Sequence, residues 1–195
     1  MQTVIVKYNA GNVQSVLFAL QRIGFDAEVT DDPKKIMNAD KVIFPGVGHA
    51  GSAMDFLKRK GLDTVIRSLK QPTLGICLGM QLMCSHSEEG NTDCLGIFDE
   101  QVAGFQSTTL KVPQIGWNQI KGLKTPLFDG VAENSFIYLV HSYFAATGPH
   151  TIAQTDYIGT YSTALNKENF YGLQFHPEKS AVVGEQILFN FMSKI

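Results

Sequence analysis

The sequence predicts an α/β fold: a doubly wound, mostly parallel central sheet flanked by helices, with an added β-rich segment. Three observations carry this reading. Short β-branched runs alternate with amphipathic stretches through the first half, the pattern of parallel strands joined by crossover helices. A Gly-x-Cys-x-Gly turn stands between an apolar run and a helical stretch. The second half is instead rich in short strands and turns.

In chain order, Thr3-Val4-Ile5-Val6-Lys7 is the first buried strand. Asn12 is placed to cap the next helix, where Val13, Val16, Leu17 and Leu20 form one apolar stripe and Gly24 ends it. Ala27-Glu28-Val29 is a second strand, and Asp31-Asp32-Pro33 starts a short helix. Lys41-Val42-Ile43-Phe44 is a third strand, closed by Pro45-Gly46-Val47-Gly48 and followed by a helix through about Lys60. A strand over 73–76 leads into the cysteine turn. Beyond it, Gly104-Phe105, Lys111-Val112-Pro113 and the segments 136–140, 151–155, 161–165 and 172–175 read as β. A closing helix runs from about Ala181 to Met192. No repeat, low-complexity tract or linker divides the chain, so residues 1–195 read as a single domain.

Composition excludes several classes. Hydrophobic residues make up 44% and charged residues 17%, with a formal net charge of -2 and no Lys/Arg run longer than Lys58-Arg59-Lys60. That argues against a nucleic-acid or anionic-membrane role. The apolar runs are too short to span a bilayer, and Met1-Gln2-Thr3 leads straight into a strand without a signal peptide. Three cysteines, Cys77, Cys84 and Cys94, suit a reducing cytoplasm better than a disulfide framework. Cys84 and Cys94 read as structural.

Gly75-Ile76-Cys77-Leu78-Gly79 is a nucleophile-elbow pattern with cysteine in place of serine. A strand turning sharply into a helix strains the middle residue, and flanking glycines let the two elements pack closely. The thiol then stands at the end of a strand, beside a helix N-terminus that favours a thiolate. The Leu78 N–H is placed to stabilise an oxyanion. Alone, the pattern is equally compatible with a small buried cysteine.

The segment Gln174-Phe175-His176-Pro177-Glu178-Lys179-Ser180 decides between them. Proline fixes its own φ and extends the preceding residue, so His176 and Glu178 face the same side. The carboxylate can take one ring N–H and leave the other nitrogen facing Cys77, the arrangement a thiol nucleophile needs. No second cysteine or histidine sits at ligand spacing, so neither a metal nor another cofactor is expected. His49, His86, His141 and His150 lack neighbours that demand a catalytic role.

These residues resemble the class I (triad) glutamine amidotransferases, and within them the glutaminase subunits of imidazole glycerol phosphate synthases. The likeness runs nearly end to end. It takes in the segments 8–12, 45–48, 75–81, 87–90, 112–118 and 140–143, besides His-Pro-Glu-Lys-Ser. One departure stands out: Gln114 and Ile115 occupy positions where the family more often has histidine and methionine.

The resemblance implies hydrolysis of glutamine to glutamate and ammonia by Cys77, His176 and Glu178. The ammonia passes to a (β/α)8-barrel cyclase subunit, forming a heterodimer that makes imidazole glycerol phosphate and aminoimidazole carboxamide ribotide in histidine biosynthesis. It implies a second oxyanion donor from Val47 and Gly48, with the Val47 N–H favoured. Glutamine's α-ammonium and α-carboxylate need fixed partners. Gln81, four residues after Cys77, can share its face. Glu89, Ser142 and Tyr143 match glutamine-binding positions. Trp117, the lone tryptophan, lies in a loop shaped by Pro113 and Gly116 and can anchor an interface. Tyr138, Lys179 and Asn12 match positions facing the cyclase. Three other readings stay open on the residues alone: an amidotransferase subunit of another pathway, a non-catalytic docking subunit, and a redox protein with a reactive cysteine.

Overall fold

The computed structural model describes residues 1–9 and 12–195. Ala10 and Gly11, within the 8–12 segment singled out above, lie outside the described residues. The first half alternates as expected: β1 (Thr3–Val6), α1 (Val13–Arg22), β2 (Glu28–Thr30), α2 (Pro33–Asn38), β3 (Lys41–Gly46), α3 (Ala50–Lys60), α4 (Leu62–Ser68), β4 (Thr73–Cys77) and α5 (Leu78–Met83). The second half contributes β5 (His86–Ser87), β6 (Thr92–Asp93), β7 (Gln101–Gly104), β8 (Gln114–Gln119), β9 (Phe136–His141), β10 (Tyr143–Ala145), β11 (Thr151–Asp156), β12 (Thr160–Lys167), β13 (Phe170–Leu173) and α6 (Ala181–Lys194).

Among the described residues the main sheet runs β2-β1-β3-β4-β13-β12-β10-β7-β5-β6, with β11 added to β12. The stretch from β2 to β13 is parallel throughout. Its order is that of a flavodoxin-like doubly wound sheet, which places ligands beyond the carboxyl ends of its strands. From β12 onward most pairings are antiparallel; this is the added β-rich segment. Strands β8 and β9 form a separate two-stranded sheet.

Alternation in the parallel strands divides the core in two. Val4, Val6, Val42 and Phe44 pack on one face against Met54, Leu57 and Leu82. Ile5, Ile43, Leu74 and Ile76 pack on the other against Ile187, Leu188 and Phe191 of α6. Both faces are therefore covered, as a parallel sheet requires. Among the described residues no helix is long and apolar enough to cross a membrane.

Four details depart from the sequence reading. Lys111-Val112-Pro113 is not a strand; pairing begins at Gln114, because Pro113 has no N–H to donate. The third strand carries on through Pro45 and Gly46. Gly61, with φ of 67°, splits off a further helix, α4, that the spacing did not reveal. Asn12 sits at the N-cap of α1 but makes no side-chain bond to the helix backbone; its Oδ1 instead accepts from the Ser15 hydroxyl at 2.6 Å.

Candidate active site

Register brings the site together. Gly46 pairs with Cys77 across β3 and β4, and Leu173 pairs with Ile76 across β13 and β4. Cys77 is thus flanked by the end of β3 and the following Val47 and Gly48 on one side and by Gln174 and His176 on the other. Three stretches remote in sequence meet because their strands end at the same level.

Cys77 closes β4 with φ of 53° and ψ of -112°, the strained elbow conformation. The glycines beside it answer to close packing. A methyl at Gly79 would run into the carbonyl oxygen of Phe44, and one at Gly75 would lie 2.9 Å from the Met80 nitrogen. The helix it leads into, α5, has six residues. Its macrodipole is accordingly short, and specific hydrogen bonds carry more of the site's electrostatics than the sequence reading assigned to them.

His176 is 3% exposed, and its Nδ1 lies 2.9 Å from Glu178 Oε1. Burial alone would lower the imidazole. Hydrogen bonding to Cys77 and Glu178, with attraction from both, outweighs that and raises it to about 10. The His176 ring is therefore an imidazolium at neutral pH. The backbone locks the base in place. The His176 N–H donates to the Tyr138 carbonyl at 3.0 Å. The buried Ser180 hydroxyl donates to the His176 carbonyl at 2.7 Å and accepts from the Tyr138 N–H at 2.9 Å. By contrast, burial raises the Cys94 thiol to about 12 and Cys84 well above its ordinary value, so both are inert.

A cavity of about 350 Å³ opens over the thiol, within the roughly 300–1,000 Å³ usual for small-molecule sites. Cys77, Leu78, His176, Val47 and Gly48 line it. Gly48 has φ of 132°, which favours glycine. Gln81, Glu89, Ser142, Tyr143 and Lys179 also line the cavity. Glu178 stands behind His176, and Asn12 borders a narrow crevice on the far side of the Pro45–Val47 turn. Trp117 and Tyr138 lie outside the cavity, opposite each other on β8 and β9 with ring centroids 5.7 Å apart. Among the described residues no group of histidine, cysteine and carboxylate side chains could hold a metal.

The polar partners add detail. Both amide hydrogens of Gln81 are spent inside the protein, on the Tyr143 carbonyl at 2.8 Å and on Gln174 Oε1 at 2.9 Å. Its oxygen is left to face a ligand, as an acceptor. One oxygen of Glu89 accepts the Ala50 N–H at 2.7 Å. The carbonyls of Ser142 and Tyr143 are already engaged, by the Phe105 N–H and by Gln81 and His141. The Tyr143 carbonyl thus has both lone pairs used, whereas the Ser142 carbonyl keeps one.

His141 lines the cavity wall, a placement its sequence neighbours did not signal. Burial pushes it down to about 4, against a raising contribution from the Tyr143 carbonyl and with repulsion from His176 adding to the fall. It is a neutral imidazole whose Nδ1–H donates to that carbonyl. Its Nε2 lies 3.3 Å from the Tyr161 hydroxyl, which donates to Gln114 Oε1 at 2.9 Å. The unusual Gln114 is thus buried and partnered, while Ile115 beside it is 63% exposed.

A cysteine elbow at the carboxyl edge of a doubly wound sheet, with a buried His–Glu pair beside it, defines a thiol-dependent amidotransferase. The chain belongs to the class-I glutamine amidotransferase family, whose model matches residues 4–195. It is 54% identical to the imidazole glycerol phosphate synthase subunit HisH of Bacteroides thetaiotaomicron, over 98% of this chain and 99% of that one. It is 46% identical to the same subunit of Haemophilus influenzae, over 98% and 96%. A putative GMP synthase subunit from Thermoplasma acidophilum superposes with a TM-score of 0.76 over 98% of this chain and 92% of that one. At 19% identity that likeness speaks for the fold alone.

Proposed function

We propose that this chain is the glutaminase subunit of an imidazole glycerol phosphate synthase in histidine biosynthesis. It hydrolyses glutamine to glutamate and ammonia and passes the ammonia to a (β/α)8-barrel cyclase subunit. The observation that carries the chemistry is the buried His176–Glu178 pair, 2.9 Å apart, with His176 lining the same cavity as the elbow thiol.

In this reading the Cys77 thiolate attacks the side-chain carbonyl carbon of glutamine. The N–H groups of Leu78 and Val47 receive the oxyanion, and Gly48 lets that peptide turn. The His176 imidazolium gives its proton to the leaving nitrogen, ammonia departs, and a glutamyl thioester remains. His176 then takes a proton from water, the hydroxide attacks the thioester, and the C–S bond breaks to release glutamate. Glu178 holds the tautomer and balances the imidazolium. Gln81 Oε1 and Glu89 hold the α-ammonium, while Ser142 and Tyr143 shape the end that takes the α-carboxylate.

The cyclase docks on the outer face of the β8–β9 sheet. Ile115, Trp117 and Phe136 there are 63%, 52% and 54% exposed, an apolar face that ordinary surfaces rarely carry. Val140 on that face and Pro113 just before β8 line the cavity, so the surface continues into its mouth. Tyr138, Lys179 and Asn12 extend the contact. Tyr138 carries it to the base, because its carbonyl accepts the His176 N–H and its own N–H reaches the His176 carbonyl through the Ser180 hydroxyl. The Val47 peptide turns its N–H toward the substrate only when the loaded cyclase is bound, which restrains wasteful hydrolysis. The chain works as one domain, in the cytoplasm and without a cofactor.

The test is glutamate release from glutamine by the purified chain, alone and with a barrel cyclase carrying a nucleotide ligand. Strong stimulation by the loaded cyclase, abolished by Cys77→Ala, is expected. Robust activity indifferent to the cyclase would overturn the partner and the restraint. Activity that survives Cys77→Ala would overturn the mechanism.

A further inference from the structure

One buried side chain outside the triad touches both the thiol and the substrate wall. Gln174 is fully buried, and β-register sets it beside Cys77. Its Nε2 lies 3.8 Å from Cys77 Sγ, and its Oε1 accepts from Gln81 Nε2 at 2.9 Å.

The direction of this chain of bonds follows from one atom. The Tyr143 carbonyl can only accept, so Gln81 must turn its NH2 toward it. The second hydrogen of that NH2 then meets Gln174, which must present oxygen. Gln174 is left with its NH2 aimed at sulfur. His141 Nδ1–H, 2.8 Å from the same carbonyl, braces it from the other side. Two amides are thereby locked without a choice of flip, and the open Gln81 oxygen and the donor on sulfur are set together.

We propose that Gln174 is a positioning residue for this reaction. It donates to the Cys77 thiolate and holds Gln81 so that only an acceptor faces the substrate ammonium. The inference rests on the reading of Cys77 as nucleophile. A donor on sulfur favours the charged form and fixes the direction of attack. An ammonium on Gln81 Oε1 polarises that amide and strengthens its bond to Gln174, since hydrogen bonds in series reinforce one another. Recognition of the α-amino end thus reaches the nucleophile through two side chains.

The experiment is alkylation of Cys77 by iodoacetamide as a function of pH, with kcat and KM for glutamine measured in the complex with the cyclase. Gln174→Met keeps the volume and removes both bonds. Its alkylation rate at neutral pH is expected to fall about ten-fold. Its kcat is expected to fall by a similar factor. A merely structural role would lower thermal stability and leave the alkylation profile in place, and that result would overturn the inference.

The wild-type protein supplies a readout that does not depend on the variant folding. The Gln174 side-chain NH2 resonances should shift when Cys77 is alkylated. Resonances indifferent to alkylation would also overturn the inference. If Cys77→Ala abolishes glutamate release and Gln174→Met matches wild type in kcat and alkylation, this inference fails while the glutaminase reading stands. If Cys77→Ala leaves release intact, the glutaminase reading fails first.

Discussion

Acid should weaken this fold through His141 in a calculable way. His141 is 6% exposed, and burial lowers its imidazole from 6.5 to about 4. The unfolded chain therefore binds a proton at this residue between those values, and the folded protein does not. Stability rises with pH wherever the unfolded state binds more protons, so it falls as pH drops from 6.5 towards 4. A shift of about 2.5 units corresponds to about 3.4 kcal/mol at most. Below pH 4 both states carry the proton, and the loss levels off. The comparison is with His141→Asn, whose side-chain NH2 can replace the Nδ1–H bond to Tyr143 but does not titrate. Urea unfolding at several pH values should show a steeper acid loss in the wild type, with the excess confined to that window. Carboxylates and histidines that are not coupled to His141 contribute equally to both proteins and cancel. Equal slopes would refute the assignment of a buried, neutral His141.

Three further outcomes follow from the site. Gly79→Ala should destabilise the protein by about 3 kcal/mol in denaturant unfolding and abolish glutaminase activity, because its methyl meets backbone at Phe44. Glu178→Gln should lower kcat by roughly 10³–10⁴ with little change in KM, because the amide can stabilise the wrong His176 tautomer and no longer balances its charge. An unchanged kcat would remove Glu178 from the mechanism. Ser180→Ala breaks the bridge between the His176 carbonyl and the Tyr138 N–H and should cost about 1–3 kcal/mol. A loss of kcat larger than the change in KM would locate the effect at the base, and a stability loss alone would leave Ser180 purely structural.

Much of the site was legible because its chemistry is local. Cys77 is marked by glycines within two residues, and Pro177 fixes the relation of His176 to Glu178. Those are backbone constraints, and short segments carry them. His141 and Ser180 lie in recognisable segments but bear no local mark of their roles, because nothing adjacent in the chain hints at what they touch. Gln174 is similar: its partners are 97 and 93 residues away. A buried polar residue needs a partner, but sequence cannot say which.

The same division separates the two halves of the fold. The parallel strands were readable because each is a short β-branched run followed by an amphipathic helix. The short strands β5, β6 and β10 were not, because two or three residues hold too little pattern to distinguish pairing from turn. By itself the sequence determined the doubly wound core, the elbow and the His-Pro-Glu pair, since steric and periodic constraints act between near neighbours. Only the tertiary structure decided that Gly46, Cys77 and Gln174 stand in line, that Gln81 faces the pocket as an acceptor, and that the Tyr138 carbonyl holds the His176 backbone. Strand register sets those relations, and register is a property of the whole packed sheet.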